Sequence, residues 1–296
     1  MTKKINNSPL YVCEFRIKSP SEDLAFELFS AISDDFYLQK RNNSDTLLVK
    51  FHSENYDSIF SIKKSIKEQS SLLKEAKIEI LKSRIFQLKK EDWTEKWKKF
   101  FKLQKIGKKL VIKPSWIDYI AKKDEILIEI DPGMSFGTGK HETTRFCLVE
   151  IERLRGQGEK SFLDAGTGSG ILSIAASKLG YSRISAFDND IEAVNVAREN
   201  FKKNSIPPGK IELLYLKLEE AYKIKSRFDV IAANIISSEL IKNSKILKAL
   251  CSPSGKIILA GIPDLDAKDV INAFSEFKIV LTKSRCGWTG LTLSAI

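Results

Sequence analysis

Phe162-Leu163-Asp164-Ala165-Gly166-Thr167-Gly168-Ser169-Gly170 reads as an apolar strand that runs into a glycine-rich turn and opens a helix. Glycine suits such a turn because the backbone bends tightly there and a ligand can approach where a Cβ would clash. The dinucleotide fingerprint G-x-G-x-x-G would place glycine at 171, where this chain has Ile171. The spacing here is G-x-G-x-G, with the acid Asp164 two residues ahead of it.

That spacing resembles motif I of the class I methyltransferases, whose ligand, S-adenosylmethionine, carries no pyrophosphate. On this reading Asp164, Gly166, Gly168 and Gly170 belong to the cofactor turn. The next expected strand ends Ala186-Phe187-Asp188-Asn189-Asp190, with Asp188 twenty-two residues beyond Gly166. A carboxylate at that tip can accept from both ribose hydroxyls, which makes Asp188 the expected ribose ligand. Asp190 is the expected cap of the helix opening at Ile191. A later strand ends Ala232-Ala233-Asn234-Ile235-Ile236. Asn234 both donates and accepts, which suits the ligand's amino-acid portion or an incoming amine. Enzymes that methylate planar amides or base amines usually show Asn-Pro-Pro-aromatic at that place, and Ile235-Ile236 departs from it.

Working outward, strands alternate with helices from Glu125 in the manner of a parallel, doubly wound α/β sheet. Strands are expected at Ile126–Ile130, Ser161–Asp164, Arg183–Phe187, Lys210–Leu214, Phe228–Ala232 and Lys256–Ala260, with Lys278–Thr282 and Gly290–Leu293 as a closing antiparallel pair. Helices are expected at Glu142–Leu154, Ile171–Leu179, Ile191–Asn204, Ser237–Leu250 and Asp266–Phe274. Residues 1–88 read differently, as strand, helix, strand, strand, helix, strand, which is the ferredoxin-like α+β order. Ser21–Ile32 and Asn55–Gln69 are its helices. Residues 89–124 are read as a linker, with an aromatic helix over Asp92–Leu103 and the turn Pro114-Ser115-Trp116. Residues 125–296 are then the catalytic domain.

The chain has 296 residues and a formal net charge of +11, and most of the excess sits in one place. Residues 82–113 hold twelve Lys or Arg against three acids, whereas residues 21–60 hold eight acids against three bases. A basic strip of that kind is either a candidate contact for nucleic acid or a solvated lysine-rich face, and the two oppositely charged stretches suit different partners. Four scattered cysteines and two histidines give neither a disulfide framework nor a metal site. With no signal-peptide pattern and no long apolar run, the expected location is the cytoplasm.

The polar loop from Asp131 to Thr144 contains Phe136-Gly137-Thr138-Gly139-Lys140-His141-Glu142-Thr143-Thr144. Together with the turn at 164–170, Asp188, Asn234, and the Trp93…Trp97…Pro114-Ser115-Trp116 segment, it resembles the PrmA family of ribosomal-protein methyltransferases along the whole chain. The departures are Thr167 where Cys is common, and Lys140 and Glu142 where Thr and Pro are common. The resemblance implies trimethylation of lysine ε-amines and the N-terminal α-amine of the eleventh protein of the large ribosomal subunit. Carried over by position, cofactor contacts fall on Thr144, Gly166, Asp188 and Asn234. His141 is the only histidine near the motifs and the one candidate proton acceptor. Two other readings stay open at this point. One is a ribosomal RNA methyltransferase, and the other is a non-catalytic RNA-binding protein using the basic strip.

Overall fold

The computed structural model describes residues 10–20, 24–25, 28–29, 32–33, 36–40, 46–53, 55–88, 102–131, 142–156 and 160–295. The chain forms two units, Met1–Phe100 and Phe101–Ile296.

In the first unit, strands β1 (Leu10–Lys18), β2 (Phe36–Lys40), β3 (Thr46–Ser53) and β4 (Glu79–Leu88) form an antiparallel sheet in the order β2-β3-β1-β4. The two-residue side-chain period sends Cys13, Phe15 and Ile17 into a core with Val49, Phe51, Ile59 and Ile66. It leaves Glu14 on the other face, paired with Lys50 at 3.2 Å and Arg84 at 2.8 Å. Helix α1 (Tyr56–Glu68) begins where expected because Asn55 caps it, its Oδ1 accepting from the Asp57 amide at 2.8 Å. A short second helix, α2 (Ser70–Glu75), follows it. Leu24, Ala25, Leu28 and Phe29 are helical, within the span expected for the first helix. This connectivity and strand order are those of the ferredoxin-like arrangement. The expected cap Ser21 and all but the end of the aromatic helix at 92–103 lie outside the described residues.

The second unit opens with a feature the sequence reading did not contain. Part of the stretch read as linker is strand: β5 (Gln104–Ile106) and β6 (Leu110–Lys113) form a hairpin, and β6 pairs in parallel with β7 (Ile126–Glu129). Ile106, Leu110, Ile112 and Ile128 bury their side chains in the main core of the unit. Burial of those side chains is what turns a short apolar run into a sheet.

The large sheet has the order β10-β9-β8-β11-β12-β14-β13. Strands β8 (Ser161–Ala165), β9 (Arg183–Asp188), β10 (Ile211–Tyr215), β11 (Phe228–Asn234) and β12 (Cys251–Pro263) are parallel, and β14 (Trp288–Ser294) runs antiparallel between β12 and β13 (Lys278–Arg285). Helices α3 (Glu142–Arg155), α4 (Ile171–Lys178) and α5 (Ile191–Lys203) pack on one face. Helices α6 (Ser237–Lys242), α7 (Ser244–Leu250) and α8 (Ala267–Ala273) pack on the other. The sheet is therefore doubly wound, and its strand order reverses between β8 and β11.

Two expected helices need correction. Ser237–Leu250 is two helices, because the Asn243 side chain donates back to the Glu239 carbonyl at 3.0 Å and breaks the run at that residue. Asp266–Phe274 opens later, after a 3-10 turn over Asp264–Asp266. Strands β13 and β14 are joined by Cys286 and Gly287, with φ of 51° and 78°, as a two-residue primed turn requires. Cys13, Cys147 and Cys251 are buried, Cys286 is half-buried, and none is in a disulfide. Burial pushes the thiols of Cys13 and Cys251 up to about 11, and that of Cys147 higher still. Among the described residues no helix is long and apolar enough to cross a membrane.

Candidate functional site

Ligands of doubly wound sheets bind beyond the carboxyl ends of the strands, where the order reverses. Here that crevice lies between β8 and β11. On one side β8 ends in Asp164 and the glycine turn, and on the other β11 ends in Asn234.

Asp164 is fully buried, and one of its oxygens, Oδ2, takes three donors. These are the Thr167 hydroxyl at 2.8 Å, the Ser173 hydroxyl at 2.7 Å and the Ser173 amide at 3.1 Å. Thr167, noted in the sequence only as a departure from the family pattern, and Ser173, which the sequence reading did not single out, thus tie the glycine turn and the first turn of α4 to the strand. Burial raises the Asp164 carboxyl from 3.8 to about 6, the three hydrogen bonds pull against it, and the charge of Asp188 raises it further. The other oxygen, Oδ1, is buried without a hydrogen-bond partner among the described residues.

The turn is shaped by what its glycines leave out. Gly166 has φ +80°, and a Cβ there would lie 2.5 Å from the Cγ2 of Ile235. Close approach of the β8 and β11 ends therefore depends on it. At Gly170, with φ +81°, a Cβ would meet the Phe201 ring at 2.7 Å and the Ala197 backbone at 3.3 Å. That glycine serves the packing of α4 on α5. The Gly168 amide donates to Asp188 Oδ2 at 2.8 Å.

Asp188, at the tip of β9, is 9% exposed. Its Oδ1 accepts from the Asp190 amide at 3.0 Å, so each oxygen is aimed by one backbone donor and keeps lone pairs to spare. Asp190 is the cap of α5, accepting from the Glu192 amide at 2.8 Å. Two asparagines of α5 brace the turn and its neighbour β7. Asn200 donates to the Ser169 carbonyl at 2.8 Å, and Asn204 bridges both the amide and the carbonyl of Glu129. Both asparagines are buried, four residues apart on one face of α5. Polar residues at helical spacing beside Ala197 and Phe201 are the signal that could have exposed them.

On the β11 side, the Asn234 amide nitrogen donates to the Thr144 hydroxyl at 3.3 Å. Thr144, in the first turn of α3, is 1% exposed, so the structure joins two of the expected contacts in one pair. Asn234 Oδ1 is buried with no partner among the described residues. His141 and residues 132–140 of the polar loop lie outside them. At the start of that loop, Asp131 accepts from the Ser115 amide at 2.7 Å and from Lys203 at 2.9 Å.

The crevice thus offers two buried, unpartnered acceptor oxygens, a carboxylate aimed from a strand tip, and a turn whose close packing depends on glycine. S-adenosylmethionine has an ammonium to meet the first and a ribose to meet the second, so the residues fit it. Fold and site define a class I S-adenosylmethionine-dependent methyltransferase. The chain belongs to the PrmA family: the family model described as "Ribosomal protein L11 methyltransferase (PrmA)" matches residues 23–295. A "Ribosomal protein L11 methyltransferase" of Geotalea uraniireducens is 40% identical over 209 residues, covering 67% of this chain and 65% of that protein. One of Caldicellulosiruptor saccharolyticus is 40% identical over 234 residues, 78% of this chain and 74% of that protein. Among solved structures, the ribosomal protein L11 methylase of Lactobacillus delbrueckii subsp. bulgaricus is similar with a TM-score of 0.61 and 33% identity. It covers 66% of this chain and 99% of that one.

Proposed function

We propose that this protein transfers methyl groups from S-adenosylmethionine to amine nitrogens of ribosomal protein L11, namely lysine ε-amines and the N-terminal α-amine. We further propose that residues 1–88 select the substrate, that residues 125–296 carry the chemistry, and that the basic stretch 82–113 touches ribosomal RNA. The setting is the cytoplasm. The observation that carries the reading is the pair of buried acceptor oxygens, Asp164 Oδ1 and Asn234 Oδ1, on either side of the strand-order reversal.

The bound sulfonium supplies an electrophilic methyl group. The protein's share is to bind, align and exclude water. Asp188 holds the ribose hydroxyls on oxygens already aimed by Gly168 and Asp190. Asp164 fixes the turn whose Gly166 and Gly168 backbone lines the cofactor site. Asn234, oriented by Thr144, offers its carbonyl oxygen to an ammonium or to the incoming amine. A lysine amine near pKa 10.4 must first lose a proton, which costs about 4.6 kcal/mol at pH 7, whereas an α-amine near 7.8 costs about 1.1 kcal/mol. Removal of water and the nearby positive sulfonium would each lower the amine's pKa.

Incubating the full chain with methyl-labelled cofactor and large ribosomal subunits tests the reading. Label is expected in protein L11. Label in RNA alone would favour the ribosomal RNA methyltransferase that the basic stretch 82–113 had kept open.

A further inference from the structure

The carboxyl edge of the large sheet carries two exposed aliphatic side chains on the β11–β12 side. Ile236, two residues after Asn234, is 64% exposed, and Leu265, two residues after the end of β12, is 94% exposed. They are not on wandering loops. Ser237 donates to Asp266 through its hydroxyl, which links the neighbours of the two aliphatic residues to each other. The Asp264 amide donates to the Gly287 carbonyl at 2.9 Å, and the Asp264 carboxylate accepts from the Thr289 hydroxyl. Below them, Gly261 lets β12 pass so close to Ile235 that a Cβ would lie 2.4 Å from the Ile235 carbonyl oxygen. Each link fixes one of the two connections, so two large aliphatic groups are held in water at the rim of the site.

Two large aliphatic groups on connections braced to each other, beside Asn234, offer an occupant apolar contact. Position identifies it, because a group delivered to Asn234 from outside the sheet passes this rim. The chemistry agrees. A lysine reaches its nitrogen through four methylenes, and its amine reacts only when neutral, a state that apolar surroundings favour. A carboxylate aimed at the amine would hold it protonated, and the two acids flanking Leu265 are engaged instead by the hydroxyls of Thr289 and Ser237.

We propose that Ile236 and Leu265 form an apolar lip against which the aliphatic stem of a target lysine lies, so that they determine specificity for lysine over an α-amine, which has no such stem. The inference rests on the amine-methyltransferase reading. Its test uses the full-length protein and two versions of the substrate, one with its N-terminus acetylated and one with its lysines replaced by arginine. The double variant Ile236→Ser with Leu265→Ser should lose about tenfold in kcat/KM on the lysine substrate, mostly through KM. That is the equivalent of about two methylenes left in water. On the α-amine substrate the change should be under twofold, and cofactor affinity by calorimetry should be unchanged. Leu265→Met alone, which keeps an apolar side chain there, should retain the lysine activity. Equal losses on both substrates, no loss on lysine, or weakened cofactor binding would overturn the lip. A change of oligomeric state by light scattering would assign the rim to a second copy of the chain and overturn it too. If the unaltered protein labels neither substrate, the amine-transfer reading falls and the lip falls with it.

Discussion

The two ends of the candidate crevice are built on opposite plans. At the β8–β9 end, Asp188 has both oxygens aimed by backbone amides, and Asp164 Oδ2 is held by three donors. Polar direction is fixed there before anything binds. At the β11–β12 end, Asn234 keeps a buried carbonyl oxygen with no hydrogen-bond partner among the described residues, and the side chains beyond it, Ile236 and Leu265, are aliphatic and exposed. A ligand of constant shape rewards preorganised hydrogen bonds. A surface of the second kind asks an occupant only for apolar contact.

If the first end is rigid by construction, the largest effect should come from disturbing its packing. Gly170→Val forces a branched side chain into positive φ and against Phe201 and Ala197, and should cost more than about 3 kcal/mol in denaturant unfolding. A loss below about 1 kcal/mol would mean that the α4–α5 contact yields easily, and the contrast between the ends would weaken. Next, Asp188→Ala should weaken cofactor binding by about 1.5–3 kcal/mol, measured calorimetrically, while the protein stays folded. Unchanged affinity would remove Asp188 from the site.

The Asp164 carboxyl gives a comparison in pH. Its folded-state pKa of about 6 lies above the ordinary 3.8. The folded protein therefore holds a proton that the unfolded chain releases. Below about pH 4 this carboxyl costs nothing. Between about pH 4 and 6 the cost grows, and above pH 6 it is fully present, on the order of 2–3 kcal/mol. In the cofactor-free protein, Asp164→Asn should thus gain thermal stability relative to the unaltered chain as pH rises from 4 to 7. A constant difference across that range would show that Asp164 titrates normally. The smallest effect is expected at the β11–β12 end. Thr144→Val leaves the Asn234 amide one acceptor short and should weaken cofactor binding by about 1 kcal/mol.

Much of the crevice was legible in the residues because its chemistry is local. The turn 164–170, Asp188 and Asn234 each follow an apolar strand at a fixed offset, and Asp190 caps α5 as its position implies. What was not legible depends on partners far along the chain. Nothing in Gly170 itself announces that it also packs against Phe201, thirty-one residues on. Gln104–Lys113 looked like connection because its two short segments gain a strand's identity only when they pair with each other, when the second of them pairs with Ile126–Glu129, and when Ile106, Leu110 and Ile112 enter the core. The break at Asn243 was hidden because the helical spacing of Leu240, Leu247 and Leu250 continues across it.

The hairpin tip at Cys286-Gly287 gives the molecule a chemical handle. Three of its four sulfurs are shut away from water in apolar surroundings, where the thiolate that alkylating reagents need is suppressed. The fourth sits in the turn whose Gly287 carbonyl braces the connection carrying Leu265. A maleimide dye applied to the native protein should therefore mark one position, beside the rim where the acceptor enters, without any cysteine having to be engineered away.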